Sequence, residues 1–188
     1  MNFDKKELLN LIEFVKTIGK LKKLKRKGWI ERKIRDEIES VADHSFILCI
    51  LSLIIADKRG LNKDKLLKMS LIHDIPESIV GDITPYEKSQ EEKHELELKA
   101  MKKISSLIKD SDTFFNLWLE FEESKSKEAK FLKELDKIEM IFQALEYELS
   151  GTEPEKLNEF WQYTEKQLTD LYLLNLFKML KELRTAQI

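Results

Sequence analysis

SVADHSFILCILSLII, residues Ser40 to Ile55, contains the longest apolar run of the chain. Ser40 and Asp43 have the spacing of a capping box, so a helix is expected from Ser40 to about Asp57. Apolar residues lie on almost every side of this helix, which is typical of a helix at the centre of a core. His44 therefore falls in the first turn of a helix that is expected to be buried.

Helical periodicity also dominates outside this stretch, and no strong alternating strand pattern occurs. Five glycines and three prolines are few for a chain of 188 residues, so long helices are expected. With approximate bounds, the predicted helices cover residues 4–18, 40–57, 63–73, 89–108, 127–149 and 152–183. Ser89 and Glu92 have the spacing of a second capping box, at the start of the fourth of these helices. The pattern predicts an all-α protein in which residues 1–188 form a single domain.

Composition and charge limit the possible function classes. Lys plus Arg number 33 and Asp plus Glu 35, a net charge of −2 that gives no general attraction to nucleic acid or to an anionic membrane. The single cysteine, Cys49, excludes an internal disulfide and a cysteine-rich zinc site. No signal peptide is recognisable and the longest apolar run is too short to span a bilayer, so a cytoplasmic protein is expected.

Two of the three histidines, His44 and His73, adjoin an aspartate, and Asp136 lies in an apolar helical pattern. Carboxylates are rarely buried without a partner. His73 and Asp74 would point about 100° apart on a regular helix, but Pro76 breaks the helix here, so both can turn to one ion. Imidazole and carboxylate suit several divalent metals. The alternative to a metal site is that His44 and His73 are core residues whose hydrogen bonds are satisfied within the protein, and that Asp136 pairs with a lysine. The candidate ligands are His44, His73, Asp74 and Asp136.

These residues resemble the H…HD…D pattern of the HD-domain metal-dependent phosphohydrolases. Three surrounding segments are similar to the 5′-deoxynucleotidase branch of that family: ESVADHS (39–45), HDIPESIVGDITP (73–85) and LDKIEM (135–140). The segment Arg26-Lys27-Gly28-Trp29 also resembles an element of this branch, in which an arginine is followed closely by a tryptophan. The resemblance covers about residues 21–148, most of the chain.

The resemblance implies an HD-domain helical bundle with a metal site between its central helices, and hydrolysis of 2′-deoxynucleoside 5′-monophosphates to deoxynucleoside and phosphate. It also implies a homodimer and one divalent transition metal ion, without distinguishing Co, Mn, Zn, Fe and Ni. The ligands of that ion would be His44, His73, Asp74 and Asp136. The implied catalytic residues are Glu77 and Asp82, and the implied nucleotide-binding residues are Arg26 and Trp29.

Several of these roles have alternatives. Glu77 orients or deprotonates the attacking water, or instead hydrogen-bonds His73 from outside the coordination shell. Asp82 protonates the leaving 5′-oxygen or hydrogen-bonds the sugar, or caps local backbone in a turn. Trp29 packs against the sugar or base, or anchors the core. His94 lies on a charged helix and is expected to be solvated.

Two other functions fit the same residues. One is an HD phosphohydrolase that acts on a nucleoside triphosphate, a cyclic nucleotide or (p)ppGpp, which a substrate panel would distinguish. The other is a non-catalytic helical binding module whose metal is structural, and a saturated coordination shell without exchangeable water would identify it. A nucleic-acid-binding role for the basic segment Lys20 to Lys27 predicts steeply salt-dependent binding.

Overall fold

A computed structural model describes residues 4–34 and 37–187 of the chain. Regular structure in these ranges is helical, apart from one isolated β-bridge between Lys25 and Ser40, so the all-α prediction is confirmed. Residues 1 and 188, which bound the predicted single domain, lie outside the described ranges. The helices are α1 (Lys5–Ile18), α2 (Lys27–Glu31), α3 (Val41–Ile55), α4 (Lys63–Ile72), α5 (Glu77–Val80), α6 (Gln90–Ser105), α7 (Ser111–Glu122), α8 (Lys127–Leu149), α9 (Asn158–Gln167) and α10 (Leu171–Gln187).

Both predicted capping boxes are present. Ser40 Oγ accepts from the Asp43 amide at 3.2 Å, and Asp43 Oδ2 accepts from the Ser40 amide at 2.8 Å. Ser89 and Glu92 make the same reciprocal pair at the start of α6, at 3.2 and 2.9 Å. Each pair satisfies backbone donors that a helix start leaves free, so local sequence fixes where α3 and α6 begin.

The centre of the bundle is the packing of α3 and α4 against α8, which runs for 23 residues. Leu48 of α3, Leu66 of α4 and Leu135 of α8 are fully buried where the three helices meet. α9 and α10 lie against α8, while α6 and α7 pack together beside the start of α8. This arrangement brings the first turn of α3, the end of α4 and the middle of α8 to one place.

The central helix α3 is less buried than its sequence predicts. Leu48 and Ile55 face the core, but Phe46 is 63% exposed and Ile54 56% exposed. The prediction was wrong for one side of the helix, because an apolar residue shows only that contact with water is unfavourable and not which partner covers it. None of the described helices is both long and apolar enough to cross a membrane.

The predicted last helix, 152–183, is two helices. It is interrupted after Gln167, and Glu134 of α8 accepts hydrogen bonds at the break from the amides of Thr169 and Asp170, at 2.8 and 2.9 Å. Asp170 in turn accepts from the amides of Tyr172 and Leu173 at the start of α10. The break depends on a carboxylate 35 residues away, so local periodicity could not reveal it.

Replacing Phe177 tests how α10 is docked. Phe177 is 2% exposed and packs against Trp161 with ring centroids 5.7 Å apart. We expect Phe177→Ala to lower the free energy of unfolding by about 3–5 kcal/mol, because it leaves a cavity in the core. Met179→Ala, on the exposed side of the same helix, should change it by less than about 0.5 kcal/mol. Urea denaturation followed by circular dichroism measures both, and equal effects would contradict this packing.

Candidate metal centre

The structure brings the four predicted ligands together at the meeting point of α3, α4 and α8. His44 lies in the first turn of α3 and is fully buried, with its Nε2 3.1 Å from Asp136 Oδ1 of α8. His73 follows the last residue of α4, and its Nε2 lies 3.2 Å from His44 Nε2 and 3.1 Å from Asp74 Oδ2. His44 Nε2 also lies 3.8 Å from Asp74 Oδ2. His44, His73 and Asp74 thus place one ligand atom each around a common point, and Asp136 joins them through its contact with His44.

The end of α4 explains how two neighbouring residues converge. α4 ends at Ile72, and the amides of Ile75 and Glu77 bond the carbonyls three residues earlier, at 3.2 and 3.0 Å. This tight turn contains Pro76, which has no amide hydrogen to continue the helix. His73 and Asp74 lie in the turn, and their ligand atoms are 3.1 Å apart. The irregularity expected from Pro76 is therefore present where the ligands need it.

Hydrogen bonds on the far side of each imidazole direct its free nitrogen into the cluster. His44 Nδ1 contacts the Glu139 carboxylate, and His73 Nδ1 lies 2.9 Å from the Ser70 carbonyl, which can only accept. With both Nδ1 atoms donating, the two Nε2 lone pairs face each other and cannot hydrogen-bond. A cation between them resolves this. Donors bound at about 2.0–2.2 Å to one ion lie roughly 3–3.6 Å apart, so the ligand atoms of His44, His73 and Asp74, at 3.1–3.8 Å from one another, fit a divalent metal. Asp136 Oδ1 lies 3.1 Å from His44 Nε2 beside this group.

The charges of the cluster also favour a cation. Burial would raise the pKa of Asp136, but the hydrogen bond and charge of His44 hold it well below its usual range. Burial and Arg26 oppose protonation of His44, yet the Asp136 and Glu139 carboxylates outweigh them and raise its pKa to about 10. Without another cation the imidazole takes a proton to balance the carboxylates. Metal binding therefore competes with protons at this site.

A second layer of charged residues surrounds His44. Glu39 is buried, and its Oε1 accepts from Trp29 Nε1 at 2.8 Å and lies 4.0 Å from Arg26 Nε. Burial and the neighbouring Glu139 carboxylate raise the pKa of Glu39 to about 7, against the opposing charge of Arg26. Glu139 could have been found from sequence, because it lies one helical turn after Asp136 on α8. Such partners orient a ligating histidine and set its basicity.

Arg26 and Trp29 occupy different positions relative to the site. The Arg26 amide donates to the Glu39 carbonyl at 3.1 Å, which fixes the segment beside the start of α3. Burial lowers the pKa of the partly buried guanidinium, but the charges of Glu39, Asp136 and Asp74 together raise it. Trp29 is 1% exposed and packs against Tyr147 and Phe160, so it anchors the core, which was the alternative to a substrate contact.

The two predicted catalytic residues are near the cluster but differently held. Glu77 is 5% exposed, and its Oε1 lies 3.7 Å from Lys93 Nζ. Its Oε2 is buried with no hydrogen-bond partner among the described residues. Burial, then the charges of Asp74 and Asp82, raise the pKa of Glu77 well above its usual value. Asp82 Oδ2 accepts from the Lys27 amide at 2.6 Å, so it caps the start of α2.

A cavity of about 430 Å³ opens in front of three of the predicted ligands. Its walls are polar and come from α6, α7 and α8, and sequence reasoning missed them because charged residues on a helix usually face solvent. The spacing of Gln90, Lys93, His94 and Glu97 was the available signal, since it places all four on one side of α6. The cavity is lined by His73, Asp74, Gln90, Lys93, His94, Glu97, Phe121, Glu122, Lys133, Asp136 and Lys137.

Known proteins match the chain over most of its length. The sequence model of the HD domain family matches residues 18–173. The 5′-deoxynucleotidase HDDC2 of Danio rerio is 42% identical over 182 residues, which cover 95% of this chain and 90% of that protein. The human 5′-deoxynucleotidase HDDC2 is 38% identical, covering 95% and 88%. The fission-yeast 5′-deoxynucleotidase hdd1 is 39% identical over 159 residues, covering 81% and 79%.

Solved structures share the fold. A conserved hypothetical protein of Pyrococcus furiosus superposes with a TM-score of 0.76 at 30% identity, covering 91% of this chain and 99% of that one. The PH0347 protein of Pyrococcus horikoshii gives 0.73 at 34% identity, covering 93% and 96%. These likenesses and the family match agree with the helical bundle described above.

Replacing Glu139 tests its support of His44. Glu139→Gln keeps the volume but removes the charge that faces His44 Nδ1, so we expect divalent-metal affinity to fall by about ten- to a hundredfold. Titration calorimetry with Mn²⁺ measures this. Glu146→Gln, on the exposed side of the same helix, is the matched control and should leave the affinity unchanged. Equal affinities for Glu139→Gln and the unaltered protein would contradict the assignment.

Proposed function

The chain belongs to the HD-domain family, and we propose that it is a metal-dependent 5′-deoxynucleotidase, which hydrolyses 2′-deoxynucleoside 5′-monophosphates to deoxynucleoside and phosphate. The observation that carries this function is the pair of imidazole Nε2 atoms, 3.2 Å apart, that face two carboxylates beside a polar cavity. Relatives that bear the name 5′-deoxynucleotidase match more than nine-tenths of the chain. Their name supplies the substrate class.

The proposed cofactor is one divalent metal ion held by His44, His73, Asp74 and Asp136. Two neutral imidazoles and two carboxylates nearly cancel the charge of such an ion, and this donor set suits Mn, Fe, Co, Ni and Zn alike. When bound, the ion acidifies a water molecule and withdraws electron density from the phosphate. The protein fixes the ligand positions through Glu139 and the Ser70 carbonyl, which hold the two imidazoles.

Glu77 is the proposed proton acceptor for the attacking water. Its Oε2 has no partner among the described residues, and burial followed by the Asp74 and Asp82 charges raises its pKa, which makes the carboxylate a stronger base. The alternative role, as hydrogen-bond partner of His73, is disfavoured because His73 Nδ1 already faces the Ser70 carbonyl. Lys93, 3.7 Å from Oε1, stabilises the carboxylate form.

Arg26, Trp29 and Asp82 complete the proposed substrate site. Arg26 is a permanent cation beside Asp74 and Asp136, so it can bind a phosphate oxygen in the same region. Trp29 acts through Glu39, which it holds within 4.0 Å of the Arg26 side chain. Asp82 anchors the start of α2, next to Arg26, and it remains the candidate donor to the leaving 5′-oxygen or to the sugar.

A phosphate-release assay tests the function. With Mn²⁺ or Co²⁺, the purified protein should release phosphate from 2′-deoxynucleoside 5′-monophosphates, and a chelator should abolish the release. His73→Ala and Asp74→Ala should lower turnover by at least about a thousandfold with the helical circular dichroism intact, because each removes a metal ligand. Lys99→Ala, on the exposed side of α6, is the control.

Different results would select the other functions. Release from triphosphates or cyclic nucleotides alone would assign the site to another HD phosphohydrolase activity. A bound metal without phosphate release from any ester would indicate a structural ion and a binding module. Unchanged turnover in either ligand variant would overturn the site itself.

We infer that the protein is a homodimer, paired through the outer sides of α1 and α3. A groove lined by Val15, Phe46 and Leu71 joins these helices. Ten large apolar residues of α1, α3 and α4 are between 39% and 63% exposed here, and apolar exposure on this scale is typical of an interaction surface. A second copy is the proposed occupant because one self-complementary patch suffices for a twofold dimer. The half-exposed residues are Leu8, Leu11, Ile12, Val15, Phe46, Ile47, Ile50, Leu53, Ile54 and Leu71.

Charge placed in this surface should separate the subunits. Phe46→Glu puts a carboxylate on the centre of the patch, so we expect a dimer in the unaltered protein and a monomer in the variant, by sedimentation velocity. Met179→Glu, which changes an equally exposed apolar residue of α10, should remain a dimer. A monomeric unaltered protein, or a dimeric Phe46→Glu, would refute this interface. The cytoplasmic location and the lack of nucleic-acid and membrane partners stay predictions of the sequence.

A further inference from the structure

One side of α6 faces the cavity although it is polar. Gln90, Lys93, His94 and Glu97 recur at the spacing of one helix face, and all four line the cavity. Glu97 is 8% exposed, and Lys93 Nζ lies 3.5 Å from it and 3.7 Å from Glu77. Lys93 and Glu97 therefore form an ion pair with each other within the cavity wall. The amide of Gln90 and the ring face of His94 are left available to a ligand.

The imidazole ring of His94 has a defined orientation in the cavity wall. Its ring lies parallel to the indole of Trp118, at an interplanar angle of 7° with centroids 6.3 Å apart. Trp118 is fully buried and donates from Nε1 to the His73 carbonyl at 3.1 Å, so its indole is fixed to the backbone of a proposed metal ligand. His94 Nδ1 lies 3.5 Å from Glu122 Oε2. The side chain is 41% exposed, so His94 is partly solvated, as predicted, and it also lines the cavity.

The distribution of charge along the cavity determines the orientation in which a nucleotide would bind. The phosphate must lie at the inner end of the cavity, against the proposed metal ligands. On the α8 wall, Lys133 Nζ donates to the Glu122 carbonyl at 2.6 Å and Lys137 Nζ to the Lys133 carbonyl at 3.0 Å. These ammonium groups bond neutral carbonyls, so their positive charge favours an anion on that side. The uncharged base is then left to the α6 wall, where the flat imidazole lies.

We propose that His94, backed by Trp118, stacks on the base of the nucleotide, and that Gln90, one helical turn earlier, hydrogen-bonds the edge of that base. This inference rests on the proposed function, because it names the part of the substrate that each wall holds. Every nucleobase has an aromatic face, so stacking gives affinity for nucleotides over smaller phosphate esters. The amide of Gln90 offers both a donor and acceptors to the base edge.

A substrate with a base and a substrate without one distinguish base stacking by His94 from a general effect of this residue on activity. His94→Ala should lower kcat/KM for a 2′-deoxynucleoside 5′-monophosphate about tenfold, mainly by raising KM. Hydrolysis of 2-deoxyribose 5-phosphate, or its inhibition constant where turnover is slow, should be unchanged. His94→Phe keeps a flat ring and should retain most of the nucleotide activity. Lys99→Ala, on the exposed side of α6, should affect neither substrate.

The possible results distinguish base stacking by His94 from the proposed nucleotidase function on which it rests. An equal loss on both substrates in His94→Ala, or no loss on either, would overturn base stacking while leaving the nucleotidase intact. Failure of His94→Phe to restore activity lost in His94→Ala would also overturn it. If the unaltered protein hydrolysed no deoxynucleoside monophosphate, the proposed function itself would fail, and the substrate site with it.

Discussion

Carboxylates buried at the meeting of α3, α4 and α8 require compensation, and much of the structure around them provides it. Asp136 lies 3.1 Å from His44 Nε2, and Glu139 meets the same ring from the other side. Burying ions without partners would cost several kcal/mol each, so α3 and α8 must pack with these groups in contact. The same contacts that hold the central helices together also hold the nitrogen and oxygen atoms that can bind a metal. Stability and site geometry therefore depend on one network.

The local features of the fold could be predicted from sequence. Capping boxes at Ser40 and Ser89 fixed two helix starts, and unbroken periodicity fixed α8 at Lys127–Leu149. Features set by distant contacts could not be predicted. The break before α10 depends on Glu134, and the exposed side of α3 depends on which neighbours happen to cover it. Propensity and periodicity contain information about a segment, but not about its partners.

The same limit divides the site into two parts. The proposed ligands could be predicted because His73, Asp74 and Pro76 combine scarce residue types with a helix break. The cavity walls could not, because Lys93 and His94 lie on a helix whose composition is that of a solvated surface. The packing of α5 and α7 against α6 turns that face inward. Trp118 is the decisive contact, since its indole lies parallel to the His94 ring and its Nε1 donates to the His73 carbonyl.

The position of α3 links the site to the opposite surface of the protein. His44 and Phe46 are two residues apart, so on a helix they point in widely different directions, one towards the buried cluster and the other to solvent. Metal ligands tolerate displacements of only a few tenths of an ångström. A helix that packs against the protein on one side only is less restrained than this requires. A partner packed on Phe46 would restrain the helix that carries His44. Burial of the outer face of α3 would therefore stabilise the ligand geometry as well as the assembly.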